Sequence, residues 1–408
     1  MISSNRRPAY LYIFLLMILP IMDSLNGLIN GGGNENGISL GIVYRIVLVV
    51  VGLVYWCVYG VDKEDITYLM ILFTYLIISA VVYYNYYIST YTILLFKLLL
   101  PILVIVTLVS LYRVGKVDIN ILNRIMNFWT ILFPLTLLLA YILGIGFSTY
   151  GNNSNLPGES VGFKGLYYAQ NDISYVIDIL YLYVVNKIVN QINLFNLIGF
   201  ILVLFSSIIM GLKGNYLIII AVTIFYLVRI EKDSSTKRRK FVLLIMIVTG
   251  TIAGLILFKD DINKIVERWQ YFYSRNSFLS FITSTRSDRI APTFEWLKDT
   301  LGFTGILIGS GYSYTDMIVP YKFVEMDFFD IFFQIGVIGV LLIYGYYLKL
   351  YLRNRKTQFY SGAFLLTLLI SCLSGHILET ALSGVFFGVI CAGMIIGKSS
   401  NRSLIKKP

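Results

Sequence analysis

The sequence is poor in the residues that most often announce chemistry: one histidine among 408 residues, three cysteines, and a charged fraction of only 13%. Soluble domains usually carry roughly 25% charged residues, so an ordinary water-surrounded globule is excluded. Cys57, Cys372 and Cys391 each lie inside an apolar run, which leaves neither a disulfide framework nor a cysteine-based metal site. A lone histidine, His376, does not build a zinc site, so no metal and no cofactor is implied. The N-terminal "MISSNRRPAY" leads into an apolar run without a small-residue cleavage site of the A-x-A kind, and the run reads as an uncleaved first span. There is no internal repeat, no low-complexity tail and no polar stretch long enough for a separate soluble domain. Residues 1–408 therefore read as a single transmembrane domain.

What is present is apolar surface. The chain is 57% hydrophobic and 15% aromatic, with 32 Tyr and 27 Phe and a mean hydropathy of +0.77. A helix crosses a hydrocarbon layer of roughly 30 Å with about 20 residues. Apolar segments of that order cover approximately 9–29, 39–59, 67–84, 91–112, 125–146, 173–189, 192–210, 216–228, 241–258, 328–350, 359–375 and 381–396. The expected fold is an all-α polytopic membrane protein of about twelve transmembrane helices, or about eleven if the two segments parted only by "GLKGN" (211–215) count as one. Lys and Arg collect on alternate loops when the N-terminus is inside, the strongest example being "RIEKDSSTKRRK" at 229–240. The positive-inside rule then puts both termini in the cytoplasm. The net charge of +11 is an orientation signal and not a nucleic-acid footprint.

Two outer segments are long: 147–172 and 259–327. Loops of that length are usually functional or disordered. The second contains "INKIVERWQYFYSRNSFLSFI" and "RIAPTFEWLKDTLG", whose apolar residues recur at helical spacing. It is expected to fold as short amphipathic helices over the outer membrane surface.

Ionisable residues within spans are costly and face polar cavities or one another. Arg45, Lys97 and Asp178 are three such residues. They make either an Asp178 ion pair with one base while the other snorkels, or a cationic pocket just below the outer surface. On the same side "TSTRSDR" supplies Arg286 and Arg289, "VEMDFFD" supplies Glu325, Asp327 and Asp330, and "SGHILETALSG" supplies His376 with Glu379 three residues on. A histidine oriented by a carboxylate can act as a base near neutral pH. Glu325 and Asp327 are alternative bases, orienting groups for hydroxyls, cation holders, or surface acids that neutralise nearby arginines. "GSG" at 309–311 reads as a turn, and Gly336, Gly339 and Gly345 as a close helix contact.

The sequence resembles the polysaccharide polymerases of the Wzy-dependent pathway, within the O-antigen polymerase and ligase superfamily. The likeness lies in the hydropathy and loop pattern and in "GFKGLYYAQNDIS", "STRSDRI" followed by "IGSGYSYTD", "VEMDFFDIFFQIGVIGVLLIYG" and "SGHILETALSG", in that order. Many members carry Ser-Gly-Arg where this chain has Ser284, Thr285 and Arg286. The resemblance implies a GT-C-like, inverting, metal-free glycosyltransferase in the cytoplasmic membrane of a bacterium. It would join undecaprenyl-pyrophosphate-linked repeat units into a surface polysaccharide outside that membrane, beside a chain-length regulator and a flippase. His376, Glu325 and Asp327 are then the catalytic candidates, and Arg286, Arg289, Arg45 and Lys97 the pyrophosphate clamp. A ligase that moves the finished glycan to another acceptor, and a polysaccharide or lipid exporter, are the alternatives.

Overall fold

A computed structural model of the chain describes residues 7–30, 39–82, 88–151, 161–229, 233–311, 324–355, 357–373 and 375–405. Among them the protein is almost wholly α-helical, with one two-stranded antiparallel ribbon. Seven helices are long and apolar enough to cross a membrane. A bent pair, α1 (Arg7–Met17) and α2 (Leu19–Ile29), makes an eighth if taken as one span, its halves lying at 50°. Three further apolar helices are shorter, at 10–17 residues. These features are those of a polytopic membrane protein.

The chain divides into two compact, sequence-interleaved units. One comprises Tyr10–Val47 and Asn120–Asn276. It holds α3 (Leu40–Tyr59) only up to Val47, then α6 (Ile119–Ile142) from Asn120 onward, the ribbon of β1 (Phe147–Ser148) with β2 (Phe163–Gly165), and α7 (Gln170–Asn190). After these come α8 (Leu194–Met210), α9 (Lys213–Val228), α10 (Ser234–Leu257) and α11 (Lys259–Tyr273). Helix α7 packs on α8, α9 and α10 and is buried along most of its length. The "GLKGN" break is real: Gly211 adopts φ 67° and closes α8 before α9 begins, a left-handed cap that glycine enters without steric cost.

The other unit comprises Met1–Ala9, Leu48–Ile119 and Ser277–Pro408. Here belong α4 (Lys63–Val82), α5 (Ile88–Arg113), α12 (Phe278–Ile282), a 3-10 turn (Ser287–Arg289), α13 (Ile290–Ile308), α14 (Asp327–Asn354), α15 (Gln358–Leu373) and α16 (Ala381–Ile405). The expected helices of the 259–327 segment are therefore present as α11, α12 and α13. Helix α16 packs tightly along α5. At Gly388 an added Cβ would meet the Val104 Cβ at 2.7 Å, so glycine is what lets the backbones approach. By contrast, α4 keeps most of its aliphatic side chains exposed, as a helix facing hydrocarbon does.

Helix α14 is broken at Gly336, which has φ 66° and ψ −175°. The break interlocks with Gly309: a Cβ on Gly336 would lie 2.3 Å from the Leu307 carbonyl oxygen, and one on Gly309 2.3 Å from the Gln334 carbonyl. The carbonyls freed by the break are recovered, because Ser310 N–H donates to Phe333 O at 2.8 Å and Gly311 N–H to Gln334 O at 2.9 Å. Buried backbone acceptors need such partners. The sequence-expected turn and close contact are thus one device, and it fixes the half-helix that carries Asp327, Asp330 and Gln334. Gly339 and Gly345 take no part: Gly339 is crowded by its own helix and Gly345 by nothing within 4 Å.

Candidate functional site

Three stretches of this second unit converge: the turn 283–289, the start of α14, and the link between α15 and α16. The turn is built on unusual backbone. Ser284, Thr285 and Glu325 are the non-glycine residues with positive φ among the described residues, at 55°, 65° and 64°. Such conformations cost on the order of 1–3 kcal/mol each and persist where the surroundings enforce them. Here they aim Arg286 and Glu325 at each other. Arg286 donates from Nε at 3.2 Å and Nη2 at 3.1 Å to Glu325 Oε2, and Arg289 Nη1 lies 3.6 Å from Glu325 Oε1. Both guanidinium groups are largely buried, whereas the Glu325 side chain is 41% exposed. Two planar cations therefore share one accessible carboxylate.

Glu325 ties this clasp to the second cluster through its main chain. Its carbonyl accepts from Gly375 N–H at 2.9 Å, and Met326 and Gly375 form a parallel bridge. His376 follows at once. Its Nδ1 lies 3.0 Å from Glu379 Oε2 and 3.9 Å from both Asp327 Oδ1 and Asp330 Oδ2. The acids are held from behind. Asp327 Oδ2 accepts from the Ile377 and Leu378 N–H groups at 2.7 and 3.0 Å, and Asp330 accepts from Val324 and Met326 N–H, both at 3.0 Å. Gln334 Nε2 donates to Glu379 Oε2 at 3.4 Å. Both aspartates are fully buried and Glu379 nearly so; only the histidine side chain, 20% exposed, meets the surroundings.

The electrostatics change the reading of His376. Burial alone lowers the basicity of an imidazole, but the hydrogen bond to Glu379 and the charges of Glu379, Asp330 and Asp327 outweigh it and push His376 up to about 10. At neutral pH the ring is an imidazolium. It is poised to donate a proton or a hydrogen bond, not to accept one, and the role of base passes to a carboxylate. Asp327, His376 and Glu379 also offer one ligand atom each within 4.8 Å of one another, so a metal ion is chemically possible here.

Arg286, Arg289, Glu325, Asp327 and His376 are thus brought together as the sequence suggested. Arg45 belongs to the other compact unit and is committed to Asp23 at 2.5 Å and to Gly41 O at 3.1 Å. The expected Asp178 pair is corrected in the same way: Arg45 takes Asp23, and Asp178 is buried on α7 with no ion pair among the described residues and no hydrogen-bond partner for Oδ1. Lys97, on α5, makes no ion pair among the described residues. Ser374, two residues before His376, lies outside the described residues, as do 152–160 of the first outer segment and 312–323 of the second.

Sequence reasoning missed Asp23, the anchoring role of Asp330, and Gln334. Asp330 left a signal, since an acid in the first turn of a helix is placed to take the N–H groups around the helix start. Gln334 left none. Compared with protein-family models and with curated proteins, the chain matches none.

Proposed function

We propose that this chain is a membrane glycosyltransferase that joins undecaprenyl-pyrophosphate-linked oligosaccharide repeats into a surface polysaccharide on the outer face of the bacterial cytoplasmic membrane. The observation that carries the reading is the arginine clasp: Arg286 and Arg289 hold a single carboxylate that is half open to the surroundings and one backbone hydrogen bond away from the His376 link. Paired guanidinium groups grip phosphate oxygens as they grip a carboxylate. Thr285, where many members of the resembled family carry glycine, has a φ of 65°, the backbone state glycine enters most readily.

In this reading about twelve spans cross the membrane: the long apolar helices, the bent α1–α2 pair as one, α7, and the shorter α8, α9 and α15. The donor pyrophosphate displaces Glu325 from the arginines, and the released carboxylate is the base. The acceptor hydroxyl oxygen attacks the anomeric carbon from the face opposite the pyrophosphate. A new carbon–oxygen bond forms as the carbon–oxygen bond to pyrophosphate breaks, the hydroxyl proton passes to Glu325, and the bonding pair leaves with the diphosphate. Arg286 and Arg289 stabilise the charge that develops there, as preorganised donors do. His376, cationic and partly exposed, adds a further proton donor beside them.

Deleting the protein tests this directly. Lipid-linked single repeats should accumulate on the outer leaflet alone, because export precedes polymerisation. Accumulation on the inner leaflet would instead mark an exporter.

A further inference from the structure

The His376 cluster leaves two buried carboxylate oxygens without a hydrogen-bond partner. Asp327, Asp330 and Glu379 surround a single ring. Backbone N–H groups satisfy Asp327 Oδ2 and both oxygens of Asp330. Two oxygens are left over. Asp327 Oδ1, on a side chain with no exposure, and Glu379 Oε1, on a residue 5% exposed, have no hydrogen-bond partner. Buried polar atoms almost always have partners, and an orphan carboxylate oxygen points to an absent donor, water or ion. Among the described residues neither atom has a protein donor within hydrogen-bond distance. What lies within reach is the rest of the cluster, with ligand atoms from Asp327, His376 and Glu379 inside 4.8 Å of one another.

We propose that Asp327, His376 and Glu379 form a binding site for one divalent transition-metal cation of the manganese or zinc type. Two carboxylates and one imidazole are a donor set suited to such ions, since imidazole favours the first-row transition metals and carboxylate the harder divalent cations. Three protein ligands with one solvent-facing edge match metal sites that keep positions open for exchangeable ligands. The edge is supplied by His376, the member of the trio that is not closed off. The surrounding shell is preorganised, with Asp327 held by two main-chain N–H groups and Glu379 by Gln334, as second-shell partners hold metal ligands elsewhere. On binding, the metal takes the place of the ring proton, which leaves to solvent, and the excess negative charge of the cluster falls by one unit. Counting histidines and cysteines hid this possibility, because one of the two carboxylates, Asp327, comes from a position remote in sequence from the histidine's own helix link.

The site shares His376 with the proposed sugar transfer, but its test reads metal binding alone, so the two readings fail separately. Full-length protein, purified in detergent with a histidine-free tag and stripped with chelator, is titrated with MnCl2 and followed by electron paramagnetic resonance. The chain has one histidine, so imidazole nitrogen coupling in the pulsed spectrum of bound Mn2+ reports His376 and no other residue. The expected result is saturable binding of one Mn2+ with that coupling. E379Q should weaken binding by at least about tenfold, the loss seen even for residues one shell further from a metal, while E325Q, outside the trio, should bind as the wild type does. Absence of saturable binding up to roughly 1 mM, or bound Mn2+ without nitrogen coupling, overturns the proposal. The wild-type spectrum decides by itself if E379Q fails to fold.

Discussion

Two charged clusters sit side by side in one compact unit with opposite imbalances. In the clasp, two arginines share one carboxylate; beside His376, three carboxylates share one imidazole. The Arg45–Asp23 pair of the other unit is balanced, one cation to one anion, with both side chains largely buried. A balanced buried pair is a structural solution, because each charge answers the other. An unbalanced one invites a visitor of the missing sign. The clasp is receptive to an anion and the His376 cluster to a cation or a proton, and a backbone hydrogen bond from Gly375 to Glu325 holds the two in register.

The sharpest break of this comparison is to remove the base while leaving the clasp's shape. E325Q should keep the protein in the membrane and lower polymer formation about 100- to 10,000-fold, the usual contribution of a general base. Membrane-inserted E325Q with wild-type polymer would return Glu325 to the role of a surface acid. R286K keeps the charge and loses the planar fork. It should lower polymer formation on the order of 100-fold, the scale of one lost preorganised donor, and unchanged polymer would make Arg286 a loop cation.

The balanced pair should behave differently. D23N strands Arg45 and should destabilise the protein by roughly 3–5 kcal/mol, read as a lower unfolding midpoint in detergent, yet polymer made per folded molecule should not change. A selective loss of activity would bring Arg45 back into the site.

His376 adds a pH signature. Its folded-state value of about 10 lies above the 6.5 of a free imidazole, so the cluster's contribution to stability is fully present below pH 6.5 and is lost as pH rises through about 10. The unfolding midpoint should fall across that window in the wild type, and the fall should be absent in H376Q, which is less stable throughout. Parallel curves would mean that the imidazolium does not hold the three acids. The smallest effect belongs to T285G. It relieves a left-handed residue and should raise stability by roughly 1 kcal/mol with polymer unchanged; a loss of stability would show that the Thr285 side chain is needed where it is.

How much of this was legible depended on distance along the chain. The apolar runs, the "GLKGN" break and the helices of 259–308 followed from periodicity and length, which are local. Arg286, Arg289, Glu325, Asp327 and His376 were recognisable because charged residues recur at one end of successive spans. Which helix faces which is not local: nothing in the sequence tells Asp23 from Asp178 as the neighbour of Arg45, and the structure pairs Arg45 with Asp23. The acids around His376 divide in the same way. Glu379 is three residues away and visible, whereas Asp327 and Asp330 reach the ring only once the start of α14 docks on the His376 link through the Gly375–Glu325 hydrogen bond and the bonds from Ile377 and Leu378 to Asp327.

The central claim is that the clasp holds a lipid-linked pyrophosphate while a glycosidic bond forms. It is tested most directly by reconstituting the purified protein in lipid vesicles with undecaprenyl-pyrophosphate-linked repeats and following the length of the lipid-linked chains together with released undecaprenyl pyrophosphate. Longer chains are expected, with one lipid pyrophosphate released for each bond formed, and both falling on the order of 100-fold with R286K. Movement of the lipid-linked repeats across the vesicle membrane with no chain growth would contradict it.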